Sequence, residues 1–139
     1  MSKVMALDVG EKRIGVAIGN FETKIASPLT TIEADGQEIQ KITTLLDEEE
    51  IDILVVGLPR NSKGEETKQT AMVRTFAEKL MPILDNDFEY PKRLIYQDES
   101  LSSVIAEERL KESGVQWTKA DVDKEAAAII LQDFLEKEL

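Results

Sequence analysis

Acidic side chains stand at three places in this sequence where one regular element ends or another begins. Asp8 closes the apolar run "KVMALDV", Asp98 and Glu99 close "RLIYQDE", and Asp121 and Asp123 come just before "KEAAAIILQDFL". Carboxylates held within about 4–6 Å raise each other's pKa unless a cation joins them. Oxygen ligands of this kind suit Mg²⁺ and similar hard ions. If these ends meet at one edge of the fold, the acids predict a divalent metal site for phosphodiester hydrolysis.

Each acid also has a purely structural interpretation. Asp8 is followed closely by glycine and fits a turn. Adjacent strand residues point to opposite faces, so only one of Asp98 and Glu99 can share a site with Asp8, and the pattern leaves both open. Asp121 and Asp123 fit the first turn of a helix, where acids cap N–H groups. Asp123 is also in phase with the apolar positions of that helix, which favours an inward direction.

Composition removes several classes of mechanism. The 139 residues contain neither histidine nor cysteine, which excludes Ser-His-Asp and Cys-His catalysis, disulfides and thiolate metal sites. The length and the hydrophobic content of 42% suit one domain, residues 1–139, with a buried core. No apolar run of about 18 residues and no signal peptide are present, so we expect a cytoplasmic protein without a membrane partner.

Positive charge is concentrated in two segments of a chain whose net charge is −11. Residues 1–30 carry four basic and three acidic side chains, and residues 58–80 carry five and three. The rest of the surface would repel a phosphate backbone, because non-specific nucleic-acid binding depends on neutralising phosphates. The candidate phosphate-contacting side chains are Lys12, Arg13, Arg60, Asn61 and Lys63.

Periodicity and turn signals predict the order β-β-β-α-β-α-β-α-α, a mixed five-stranded α/β sheet with helices on both faces. Pro28 places the third strand at a sheet edge, because proline cannot donate to the ladder. Gly15 and Gly19 in the second strand predict a close approach there, and we expect a substrate backbone to make it. The predicted strands are 3–9, 13–19, 25–32, 52–58 and 93–99, and the predicted helices are about 37–50, 67–83, 101–113 and 122–137.

Four blocks of the sequence resemble, in order, blocks of the YqgF (RuvX) family. They are "ALDVGEKRIGVAIGN", "ILVVGLPRNSKGEE", "DESLSS" and "DVDKEAAAIILQDFL", and together they span nearly the whole chain. The resemblance implies an RNase H-like fold. It also implies a nuclease that processes the end of the small-subunit ribosomal RNA precursor or acts like a Holliday junction resolvase.

Carried onto this sequence, the resemblance assigns catalytic, metal-binding acids to Asp8, Glu99 and Asp123. The carboxylate cluster itself predicts the cofactors, two Mg²⁺ or Mn²⁺ ions. The resemblance chooses Glu99 over Asp98 and Asp123 over Asp121. The residues it places at the site edge are Lys12, Arg13, Asn61 and Gly64.

The chain departs from the family pattern in two blocks. Ser100 replaces the family's arginine after the acid pair. Arg60 stands where an apolar residue is common, and Ser62 with Lys63 replaces a Met-Asp-like pair. These changes predict that the phosphate contact has moved from one loop to the other.

Four functions compete at this point. The first is a nuclease that processes the 5′ end of pre-16S rRNA, working with ribosomal particles. The second is cleavage of branched DNA, which needs two symmetric sites and hence a dimer; the expected state is a monomer or weak homodimer. The third is a catalytically weak nucleic-acid-binding factor in ribosome assembly. The fourth, a sugar-kinase or actin-like ATPase, is disfavoured because 139 residues are too few for two ATP-clasping domains.

Overall fold

A computed structural model describes residues 2–99 and 102–137, without the side chains of residues 102 and 103. Ser100, the departure from the family pattern, and Leu101, the predicted helix start, lie outside the described residues. The elements are β1 (Lys3–Val9), β2 (Arg13–Asn20), β3 (Ala26–Glu33), α1 (Glu38–Glu48), β4 (Ile53–Pro59), α2 (Lys68–Asn86), β5 (Arg93–Glu99), α3 (Ser102–Ser113) and α4 (Lys119–Lys137).

The five strands form one mixed sheet in the order β3-β2-β1-β4-β5. β1 pairs antiparallel with β2, and β2 with β3, whereas β4 runs parallel to both β1 and β5. This confirms the predicted meander followed by crossovers. Pro28 lies on the edge strand as expected, and the β2–β3 register shifts between Val16 and Ala17, opposite that proline.

Alternation along β1 separates two faces of the sheet. Met5 and Leu7 point into a core shared with α1 and α2. Val4 and Ala6 point the other way, into a core built with α4. Asp8 continues the even-numbered series, so its side chain belongs to the α4 face.

The same alternation separates the two acids at the end of β5. Ile95 packs in the α4-side core, whereas Leu94 and Tyr96 pack on the opposite side. Glu99 is in phase with Ile95 and therefore shares the α4 face with Asp8, while Asp98 points to the other face.

α4 begins at Lys119, three residues before the predicted start at 122. Thr118 and Asp121 form a reciprocal cap: the Thr118 N–H donates to Asp121 Oδ2 over 2.9 Å, and the Asp121 N–H donates to Thr118 Oγ1 over 3.4 Å. The predicted start at residue 122 was too late because the acid was recognised as a cap but its threonine partner was not. In the described part of the chain, no helix is both long and apolar enough to cross a bilayer.

The expectation that a substrate backbone approaches Gly15 and Gly19 is wrong. A Cβ built on Gly15 would lie 1.9 Å from the backbone oxygen of Asp123, and one on Gly19 would lie 2.7 Å from the backbone oxygen of Ile25. The approaching backbone is the chain's own. Glycine at position 15 is required because α4 crosses β2 there with no room for a side chain.

Candidate active site

Asp8 and Glu99 meet at the carboxyl end of the parallel strands. The Asp8 side chain is hydrogen-bonded to Glu99. Burial raises the pKa of Asp8 well above its usual value, and the negative charges of Glu99 and Asp123 raise it further. Two ionised carboxylates in contact repel each other, so either one of them keeps a proton or a cation binds between them. The pair is therefore a centre that attracts positive charge.

Gly57 makes the room for this pair. It lies on β4, between β1 and β5, on the same face as Val55 and the α4 core. A Cβ at position 57 would lie 2.7 Å from Ile130 Cδ1 and 3.2 Å from Glu99 Cδ. Gly57 was not among the predicted site residues, although a glycine inside the otherwise apolar "ILVVGLP" was the available signal.

Asp123 is placed beside the pair by the close contact between α4 and β2. Gly15 is the β2 partner of Asp8 in the sheet, and the backbone of Asp123 lies directly over Gly15. The Asp123 carboxylate is engaged by Arg13, whose Nε lies 2.5 Å from Asp123 Oδ2. The two side chains are 26% and 22% exposed, so solvent screens this ion pair only in part.

The three acids therefore come together in different ways. Within residues 2–99 and 102–137, no three acidic side chains form a ready metal-binding group. Asp8 and Glu99 share a hydrogen bond, whereas Asp123 faces Arg13. Asp121, the acid that the resemblance rejected, is occupied with the cap of α4.

The loop at residues 59–66 is tied to the end of β5 and to α2. Arg60 Nε lies 3.0 Å from Asp98 Oδ1, and one Arg60 Nη lies 3.4 Å from the Gly64 carbonyl oxygen. At the other end of the loop, Arg74 makes two hydrogen bonds to Glu66, of 2.8 and 3.1 Å. Arg60, predicted to contact phosphate, thus holds this loop against β5.

Asn61 organises the same loop from within. Its Oδ1 accepts from the N–H groups of Lys63 and Glu65, at 3.0 and 2.9 Å. Gly64 adopts φ +79°, a conformation that glycine reaches without strain. Lys63 is exposed on this loop, and Lys12 is exposed on the β1–β2 turn. The predicted substrate-contacting residues thus divide into those that shape this loop, the exposed lysines, and Arg13, which pairs with Asp123.

Nearly the whole chain matches a family model. The model is described as "RuvX: Holliday junction resolvase" and matches residues 2–137. The chain belongs to the RuvX family. This confirms the resemblance identified from the four sequence blocks.

Several curated proteins similar to this RuvX-family chain carry the name "Putative pre-16S rRNA nuclease". One from Chloroflexus aurantiacus is 43% identical over 137 residues, which cover 96% of this chain and 86% of the relative. One from Fusobacterium nucleatum is 39% identical over 140 residues, with 98% of both chains covered. The family description and these names agree with the nuclease function predicted from the sequence.

Solved structures confirm the RNase H-like fold predicted from the resemblance. The chain is similar to Thermus thermophilus RuvC in complex with a Holliday junction substrate, with a TM-score of 0.58 at 13% identity, over 99% of this chain and 95% of that one. It is also similar to the yeast mitochondrial Holliday junction resolvase Ydc2, with a TM-score of 0.57 at 12% identity, over 96% and 78%.

Proposed function

We propose that this chain is a metal-dependent nuclease of the cytoplasm that hydrolyses phosphodiester bonds in structured RNA, with the 5′ end of pre-16S rRNA as its substrate. The observation that carries the proposal is the hydrogen-bonded pair of Asp8 and Glu99 at the carboxyl edge of the sheet. Such a pair destabilises the folded protein, because each negative charge disfavours the other, and a function as a metal site would explain its presence. Ligands gather at this edge in open α/β sheets.

The donor set fits a hard divalent cation. The oxygens of Asp8 and Glu99 would hold it, with Asp123 as the third ligand once Arg13 leaves that carboxylate. A bound Mg²⁺ or Mn²⁺, alone or as a pair, would lower the pKa of a water and stabilise the leaving oxygen. The chain's own contribution is a fixed pair of acids with no histidine competing for the metal or the proton.

Arginine side chains give the acidic edge its attraction for phosphate. Arg13 exchanges Asp123 for a substrate phosphate, since a guanidinium binds phosphate as readily as carboxylate. Arg60, with Asn61 and Gly64, holds the loop that flanks the acids. The exposed Lys12 and Lys63 contribute positive charge at the rim.

Branched DNA is the second candidate substrate. It is favoured by the description of the family model and by the fold shared with RuvC bound to a junction. Symmetric cleavage of a junction requires two copies of the site and therefore a dimer. The names of the curated relatives favour precursor rRNA, acting as a monomer or weak homodimer with ribosomal particles.

Cleavage by the purified protein tests the proposal. The substrates are an RNA carrying the 5′ end of pre-16S rRNA, a four-way DNA junction and plain duplexes, each with Mg²⁺, Mn²⁺ or EDTA. We expect cleavage of the precursor RNA with either metal and none in EDTA. Asp8→Asn and Glu99→Gln each reduce the rate by at least about 100-fold, since even the outer partners of metal ligands cost 10–100-fold.

Asp121→Asn is the matched control. It changes an acid two residues from Asp123, keeps an oxygen that can cap α4, and leaves the rate unchanged. Cleavage in EDTA, or wild-type rates in both Asp8→Asn and Glu99→Gln, would contradict the metal site. Cleavage of the junction alone would move the proposal to branched DNA. Binding of RNA without cleavage of any substrate would instead favour a catalytically weak nucleic-acid-binding factor in ribosome assembly.

A further inference from the structure

A cleft of about 660 Å³ opens beside Glu99, between the loop at residues 59–66 and helices α3 and α4. Its volume lies in the range of small-ligand sites and is ample for one nucleotide. Glu99 lines the cleft and also bonds Asp8, so the cleft continues directly from the acid pair. A group placed in the cleft would be a close neighbour of a phosphate held at that pair.

The wall of the cleft that α3 and α4 form is largely apolar. Ile129 and Ile130 of α4 are 6% and 1% exposed, and they form a fixed floor. Ile105 of α3 also lines the cleft but is 38% exposed. Covering this side chain with a flat apolar group would remove its surface from water, which is favourable in proportion to the area buried.

The charges around the cleft disfavour a phosphate inside it. Three acidic residues line it, and of these Asp98 turns its carboxylate to Arg60, which leaves Glu99 and Asp133 as the negative groups nearest to a bound molecule. Arg60 is the one basic side chain among the lining residues that the structure describes, and it is already bonded to Asp98 and to the Gly64 carbonyl. A neutral group that has apolar faces and N–H donors at its edge fits such walls. A nucleobase has this chemistry, and a carboxylate such as that of Asp133 accepts from its N–H edge.

We propose that the cleft binds an unpaired nucleobase of the nucleotide next to the scissile phosphate, a proposal that rests on the function proposed above. The base must leave its stack to lie against Ile105 and Ile129. The substrate class is therefore RNA with an unpaired nucleotide at the cleavage position rather than a continuous duplex. An enzyme that takes a base out of a helix discriminates in favour of bases that are already unpaired.

Binding in Ca²⁺, a hard cation with oxygen ligands, tests the cleft separately from cleavage. The probes are three RNA duplexes: one with a single bulged 2-aminopurine, one with the same base paired, and one with an abasic bulge at that position. We expect the bulged RNA to bind about tenfold more tightly than the other two, as for an apolar group that fills a pocket. The 2-aminopurine fluorescence changes on binding only in the bulged RNA.

Ile105→Ser and Val104→Ser form a matched pair of variants. Both positions lie on α3 and are exposed, by 38% and 53%, but only Ile105 lines the cleft. We expect Ile105→Ser to lose the tenfold preference and Val104→Ser to keep it. Equal effects of the two variants would overturn the proposal.

The abasic RNA tests the proposal with the wild-type protein, so this test does not depend on whether the two variants fold. If the wild-type protein binds the abasic-bulge RNA as tightly as the RNA with the bulged 2-aminopurine, the cleft assignment is overturned. This holds even if the protein cleaves precursor RNA. A tenfold preference without any cleavage would support the cleft assignment and contradict the nuclease. No binding to any of the three RNAs would overturn both.

Discussion

The two faces of the sheet are built from side chains of different size. Toward α1 and α2 the core uses large residues such as Met5 and Leu80. Toward α4 it uses Ala6, Ala17 and Ala127 together with larger residues. Glycines at positions 15 and 57 also lie under α4.

Small residues on one face bring a helix backbone close to the strands. The α4 backbone passes over Gly15, and Asp123 consequently lies beside Asp8. The opposite face is packed from larger side chains and carries none of the three acids assigned to the site. One face is therefore packed mainly from large apolar side chains, while the other uses smaller residues and brings the carboxylates together.

The largest effect is expected where the helix and the strand are closest. Gly15→Ala places a methyl group against the backbone of Asp123, so α4 must move or tilt. Overpacking of a core usually costs 1–3 kcal/mol, and we expect about 4 kcal/mol here because backbone cannot rotate away. Cleavage falls as well, since Asp123 moves with α4. Urea unfolding and cleavage at a temperature where the variant is folded measure both effects.

A stability within 1 kcal/mol of the wild type for Gly15→Ala would contradict the close packing of this face. Retention of the full rate in a folded variant would show that the position of Asp123 does not matter for cleavage.

A comparable change on the opposite face should cost stability alone. Leu80 is fully buried in the core with α2, so Leu80→Ala leaves a cavity and costs about 3 kcal/mol. Because the acids lie on the other face, we expect the cleavage rate of the folded variant to equal that of the wild type. The same two measurements apply, and a loss of rate like that of Gly15→Ala would show that the faces are coupled.

The smallest effect, of opposite sign, is expected at Asp8. Its pKa is raised in the folded protein, so between the ordinary and the raised pKa the folded state holds a proton that the unfolded chain has released. Stability therefore falls as pH rises through that interval. Asp8→Asn removes this penalty and should raise the Tm by about 3 °C at pH 8 in EDTA. The gain should fade toward pH 4.

Thermal unfolding followed by circular dichroism between pH 4 and pH 8 checks this expectation. Added Mg²⁺ should stabilise the wild type and not the variant, because a ligand stabilises only the state that binds it. A lower Tm for Asp8→Asn at pH 8 in EDTA would mean that the acid pair stabilises the fold by itself.

Much of the local structure was predictable because it follows from short-range periodicity. The strands and most helix ends were placed within three residues, and alternation showed that Asp98 and Glu99 cannot share a face. The start of α4 was placed late because a capping box depends on one side-chain pair, Thr118 with Asp121, rather than on periodicity. Glycine in a strand signals a close approach but does not say what approaches, so the contact at Gly15 was assigned to the wrong partner.

The amino-acid order alone specifies the element types, the inward phase of Asp123 and the family blocks, because each depends on residues close together in the chain. The contacts that define the site join residues far apart. Arg13 and Asp123 are 110 positions apart, and Arg60 and Asp98 are 38 apart. Both arginines looked like free phosphate ligands in the sequence, and folding pairs each with a carboxylate. Only the order of strands and the path of α4 decide such pairings, because they depend on which elements pack together and not on the pattern within any one of them.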